Sequence, residues 1–202
     1  MKFIFIPKGK LKMKIITEIS VRLFFLLAVI LIGCGTSPLT MTVIDEKAFN
    51  TSKSITILDF STAGAQLNYQ GNADSLGHAL AVLLQQELQK KADYLEATLN
   101  TKETLASDLI VEGGFKNIDE GDAEARVIVG QEGVTLELDG VVKKTDGTVV
   151  ANFYASKTSA GGPIGMGGLL AGDSDVIIDD LMNEIADELS DFIVSKTTGN
   201  RQ

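Results

Sequence analysis

Cysteine and histidine each occur once in the 202 residues, as Cys34 and His78. One thiol makes no disulfide within the chain and no CxxC redox or zinc site, and one imidazole builds no multi-histidine cluster. Only carboxylate-rich metal sites are left, and no metal or cofactor is expected. Enzyme signatures are equally sparse: the chain has no GxSxG elbow, no Walker lysine after its glycines and no HExxH. No catalytic residue is assigned and the chain is read as a non-enzyme.

Positive charge is scarce where it would matter. Lys2, Lys8, Lys10, Lys12, Lys14 and Arg22 precede Cys34, with Glu18 the only acid there, so the chain from Cys34 onward carries 12 bases against 26 acids, a net charge of -14. Such a domain repels phosphate backbones and anionic headgroups, and no basic stripe with interleaved aromatics offsets this. Nucleic acid is excluded as a partner. The length and the 45% hydrophobic, 22% charged composition fit one folded domain of ordinary size.

What is present begins with Leu23–Ile32, an unbroken apolar run preceded by bases and followed by Gly33-Cys34. That is the layout of a secretory signal, and the run is shorter than the roughly 20 residues that span a bilayer as a helix. Leu31-Ile32-Gly33-Cys34 resembles the lipobox: aliphatic residues, a small residue that lets the signal peptidase reach the bond, then the acceptor cysteine. The resemblance implies a signal peptide over 1–33, with Leu31, Ile32 and Gly33 as the recognition residues and Cys34 as the lipid attachment site, palmitate included. One acyl chain holds a protein marginally, whereas several hold it durably. An ordinary secretory signal or membrane anchor ending in cysteine is the alternative. Thirty-three residues before the cysteine are more than the usual 15–30 or so, while a start at Met13 leaves 21; both starts stay open. Gly35 after the cysteine favours the outer over the inner membrane, with the domain facing the periplasm.

Residues 34–53 read as a flexible tether, with Met41–Ile44 as an optional edge strand, and residues 54–196 as one domain before a disordered tail over 197–202. Ile55, Ile57 and Leu58 mark a strand over Ser54–Phe60. Leu76, Leu80, Leu83, Leu84 and Leu88 fall at helical spacing after an Asn72 or Asp74 cap, giving a helix to about Lys91 with His78 on its polar side and without a partner. Asp108–Ile118 is a strand in which Gly113-Gly114 predicts a bulge or close packing. Val134–Lys143 alternates and then slips phase at Gly140. Across Asp146-Gly147, Thr148–Lys157 completes a hairpin. A last helix runs from Asp173 or Ser174 to about Lys196, with Val176, Ile177, Leu181, Ile185, Leu189, Phe192 and Ile193 on one face and acids on the others. The order predicts an α/β (α+β) fold: a mixed or mainly antiparallel sheet of about four to five strands, with two main helices on one face.

Ala160–Gly172 holds six of the 20 glycines. A phosphate cradle before the final helix is argued against by Asp173 and Asp175, whose charge would repel an anion. Ile164, Met166, Leu169 and Leu170 form a candidate partner-contact loop, since soft apolar side chains suit a binding surface; folding back as core is the other reading. Asp119, Glu120 and Asp122 around Gly121 lack EF-hand spacing and read as a solvated turn.

Val111-Glu112-Gly113, Asp119-Glu120-Gly121, Arg126, Val129-Gly130, the Asp146-Gly147 hairpin and Gly161-Gly162 together resemble the domain-of-unknown-function family 4410, small bacterial lipoproteins. The resemblance covers most of Ile55–Ile193, departs at Gln131-Glu132-Gly133, and brings no activity with it. More distantly, Ser107–Gly113 and the hairpin are similar to the periplasmic domains of the curli-secretion channel lipoprotein and of penicillin-binding-protein activator lipoproteins, which are binding or assembly modules. The expectation is a membrane-anchored envelope lipoprotein that binds an envelope protein or itself. An oligomeric secretion or transport accessory subunit, and a carboxylate-dependent envelope-polymer hydrolase, are the alternatives.

Overall fold

The computed structural model describes residues 38–100, 107–121, 133–159 and 174–197. In chain order its elements are β1 (Thr40–Val43), α1 (Glu46–Thr51), β2 (Ser54–Ile57), β3 (Gln66–Asn68), α2 (Ala73–Lys91), β4 (Glu96–Leu99), β5 (Leu109–Asp119), β6 (Thr135–Lys144), β7 (Val149–Thr158) and α3 (Ser174–Thr197). They form an α+β fold around one mixed sheet of order β1-β7-β6-β5-β2-β4, with β3 continuing beside β5. Each adjacent pair among β1, β7, β6 and β5 is antiparallel; β2, β3 and β4 run parallel to their neighbours. The parallel part follows from connectivity, because α2 carries the chain from β2 back to the start of β4, which a tight turn cannot do.

The hairpin forms where alternation meets an Asp-Gly turn. Gly147 takes φ 86°, which costs it nothing without a side chain. The inward residues of β6 and β7 are Leu136, Leu138 and Val142, and Ala151, Phe153 and Ala155, all buried. The expected phase slip at Gly140 does not occur. Gly140 keeps the inward phase and pairs with Phe153, whose ring fills the space a side chain would take. Gly113-Gly114 resolves as close packing, with Phe60 and Ser61 lying against it; the β5 irregularity falls later, between Phe115 and Asn117.

α2 starts where Asn72 Oδ1 accepts the Asp74 amide at 3.2 Å, and it buries Leu76, Leu80, Leu84 and Leu88. Each such burial is worth about 1.5–3 kcal/mol. On α3 the buried stripe is Ile178, Leu181, Met182, Ile185, Ala186, Leu189 and Ile193, while Val176 stands 53% exposed. Val176 lies two residues, some 200°, from Ile178, so the apolar face begins later than its hydrophobicity suggests. All three helices contribute to the one buried cluster that covers the inward side of the sheet.

Two expectations change. The sheet has seven strands: the optional edge strand forms as β1, and β3 and β4 are too short for periodicity to reveal. The tether also ends sooner than residue 53. Met41 and Val43 pack on the core, Asp45 caps α1 by accepting the Ala48 amide at 3.1 Å, and fully buried Phe49 meets Phe192 edge-on at 6.1 Å.

Candidate interaction surfaces

Cys34 with Leu31, Ile32 and Gly33, and the loop residues Ile164, Met166, Leu169 and Leu170, lie outside the described residues. Their flanks are described. β1 runs antiparallel to β7, with Thr40 opposite Tyr154 and Val43 opposite Ala151, so the chain before Thr40 heads toward the Thr158 end of the sheet. Ser159, at the near side of the 160–173 segment, is fixed there by paired bonds with Val134 of 2.9 and 3.1 Å. Ser174, at the far side, approaches Glu120 at 3.4 Å. Next to it the Tyr69 hydroxyl donates to Asp175 at 2.9 Å, and burial together with that carboxylate pushes the phenol pKa up to about 12. Pro38-Leu39 and the described residues on either side of the glycine segment, Ser159 and Ser174, therefore share one end of the sheet. Leu67 and Val176, each 53% exposed, are at this end.

Behind β1 lies a buried charge that the sequence reading passed over. Lys157 follows Ala151, Phe153 and Ala155 in the inward phase and is fully buried, its ammonium 2.8 Å from Glu184 and 2.6 Å from Glu188. Burial alone would lower its pKa; the bonds to both carboxylates and their charge outweigh this, so it stands above the ordinary 10.5. Glu188 also accepts the Leu39 amide at 2.8 Å, which ties the entering chain to α3. The signal available in the sequence was parity: Lys157 shares it with the buried residues of its strand.

No described helix covers the other side of the sheet, where Thr40, Thr42, Asn152, Tyr154 and Thr158 are exposed. Where β2 leaves β5, this side holds a shallow groove of about 410 Å³ bordered by Asp59, Glu112 and Asp139. Lys143 pairs with Glu112 at 2.6 Å and Lys116 with Asp139 at 3.0 Å. His78 is solvated as expected, but it does have a partner: Nδ1 is 3.0 Å from Asp59, with both side chains more than 60% exposed. Among the described residues no hydroxyl or thiol bonds the ring.

The sequence matches no family model and no curated protein. Similar chain courses occur in solved structures. A PelC dodecamer from Paraburkholderia phytofirmans is 9% identical, with 75% of this chain and 97% of that chain covered and a TM-score of 0.49. A point variant of the same protein gives 9%, 76%, 98% and 0.48, and an uncharacterised protein gives 10%, 70%, 92% and 0.44. At these identities no site residue is carried over.

At the opposite end of the sheet, α1 and the β6–β7 turn enclose a polar cleft of about 560 Å³. Its carboxylates are engaged internally. Asp45 bonds Lys144 at 2.9 Å, Asp108 accepts the Lys53 amide at 2.7 Å, and Asp146 accepts the Thr148 amide at 2.8 Å. Those bonds hold all three pKa values below the usual 3.8. Asp119, in the acidic turn, likewise accepts from Gly121 and Asn68 at 2.8 and 2.7 Å. Among the described residues there is no cluster of three His, Cys, Asp or Glu placed to hold a metal, and no helix long and apolar enough to cross a membrane.

Proposed function

We propose that the protein is a cell-envelope lipoprotein, held by lipid on Cys34 and facing the periplasm, whose domain is a non-enzymatic binding or assembly module. The anchor half rests on Leu23–Ile32 and the Leu31-Ile32-Gly33-Cys34 motif. The binding half rests on one observation: the helices occupy a single side of the sheet, leaving β5, β6 and β7 to present alternating charges and Tyr154 on the other. The occupant is an envelope protein or a second copy, the Ile164–Leu170 segment being a second contact region. Membership of family 4410 and outer-membrane placement belong to the same proposal.

A hydrolase acting on envelope polymer would need one protonated carboxyl facing a carboxylate. Glu112 and Asp139 do border one groove, but each is already paired with a lysine, at 2.6 and 3.0 Å, so this reading is the weaker.

Intact mass of protein purified from membranes, beside a Cys34→Ala version, tests the anchor. A lipid-sized increment on a chain starting at Cys34, absent from the variant, is expected. An unlipidated chain removes it. Sedimentation in detergent over a concentration range, with Val141→Glu on the open side, then separates the occupants: association abolished by the variant identifies a second copy, whereas a monomer leaves an envelope protein.

A further inference from the structure

A sheet that does not close has edges, and the two ends of this strand order are finished differently. At β4 the carbonyl of Ala97, which faces away from β2, accepts from Gln85 Nε2 at 3.0 Å and from Gln89 Nε2 at 3.2 Å, and Glu96 adds a charge. β1 has neither device. Its residues and Ile44 after them carry no charge, and among the described residues no strand pairs with its far edge. The ladder decides which groups that edge presents. The Ile44 amide bonds the Val150 carbonyl at 2.8 Å. By antiparallel alternation Thr42 and Thr40 also bond toward β7, while the amides and carbonyls of Met41 and Val43 point away from it. Leu39 shares the phase of Met41, and its amide does leave the sheet, for Glu188.

An edge without charge gives a partner recognised by charge nothing to pair with, and it matches a strand that is equally uncharged. Reversed, β1 is such a strand. Two copies of this acidic domain repel each other, and they meet with least repulsion on a segment that carries no charge. Laid antiparallel on itself with the two-fold axis at Thr42, Met41 meets Val43 of the second copy and Val43 meets its Met41. Each of these pairs exchanges two main-chain hydrogen bonds. The side chains agree with that register. Met41 and Val43 are part-buried against the core, and they continue the apolar side of the sheet across the axis. On the other side Thr42 meets Thr42, and Ile44 lies against Thr40 of the other copy. Ile44, at 59%, is the most exposed of the large apolar side chains described, and this pairing covers it.

We propose that β1 is a homotypic docking edge, on which a second copy of the chain adds its own β1 antiparallel about Thr42 and joins the two sheets into one. This surface is separate from the open side of the sheet and does not depend on lipid at Cys34. In a Cys34→Ala background the full-length chain has no thiol, so a single introduced cysteine reports its own neighbour. The two Thr42 residues form a non-hydrogen-bonded pair with Cα atoms about 4.5 Å apart, within the roughly 4.4–6.8 Å that a disulfide spans. Those of the two Thr40 residues are about 14 Å apart. Full-length Thr42→Cys and Thr40→Cys chains in that background are oxidised by air in detergent, and disulfide-linked dimer is measured on non-reducing gels. Several-fold more dimer from Thr42→Cys is expected. Adding Val43→Pro, which removes an amide that faces away from β7 and none from the ladder, should bring linkage down to the Thr40→Cys level. Ile44→Lys should do the same, since its site is exposed and a lysine blocks an edge, while Val141→Glu on the open side should leave linkage unchanged. Equal linkage from positions 40 and 42, or linkage at 42 that survives both Val43→Pro and Ile44→Lys, overturns the pairing. Linkage abolished by Val141→Glu overturns it too, and moves self-association to the open side.

Discussion

Gly77 lies inside α2, where alanine ordinarily gains about 1 kcal/mol over glycine. Here a methyl group would run into the carbonyl oxygen of Phe60, whose amide bonds the Gly77 carbonyl at 3.2 Å. Gly77→Ala is therefore expected to lower stability by about 2 kcal/mol in urea unfolding, reversing the propensity. An unchanged or higher midpoint would show that α2 can lift off the Phe60 turn. Lys157 is the other residue whose setting decides its effect. Lys157→Met leaves Glu184 and Glu188 without their cation, and because both keep about a third of their surface in water, the loss should be nearer 2–3 than 5 kcal/mol. Adding Glu184→Gln and Glu188→Gln should recover part of it, a non-additivity that a mutant cycle reads directly.

At the scale of elements, the start of the domain is held by small attachments. Asp45 caps α1 and also bonds Lys144, while Lys196 reaches Glu46 at 3.0 Å. Asp45→Ala should lower the urea midpoint, as lost N-caps do, and should raise amide exchange in residues 40–51 well above that in β6. Uniform exchange would mean that β1 and α1 open only with the whole fold. These were the elements least legible in the sequence. Long helices declare themselves because four or more buried aliphatic side chains repeat at 3.6 residues, and the β6–β7 hairpin because Asp146-Gly147 punctuates two alternating runs. β1, offered in the sequence only as an optional strand, and β3 and β4, not offered at all, span three or four residues each, too few for a period to stand out. The candidate surfaces were half legible. Composition marked the acidic character and the glycine segment, but the Lys157 pairs and the lysine-held carboxylates of the open side depend on contacts between residues 23 to 31 apart or on cross-strand register.

For the whole molecule, pH dependence follows from the signs of the shifts. Asp108, Asp45 and Asp146 are depressed below 3.8 in the fold, so their contribution is complete above that value and is lost as pH falls through their folded values. Lys157 and Lys91 are raised above 10.5, so theirs is complete below that value and is lost as pH rises through the folded values. Thermal unfolding across pH should fall away at both ends, and Lys157→Met should flatten the alkaline limb alone. An alkaline limb unchanged in that variant would assign the loss to the other raised groups, Lys91, Lys144 and Tyr69. The entry of the chain along the axis of β1 has a mechanical consequence. Antiparallel hydrogen bonds stand perpendicular to their strands, so a pull on the chain ahead of Thr40, directed along β1, shears those between β1 and β7 together instead of unzipping them singly. Such a pull would meet the domain in its stiffest direction, and the Leu39 bond to Glu188 would be the first to feel it.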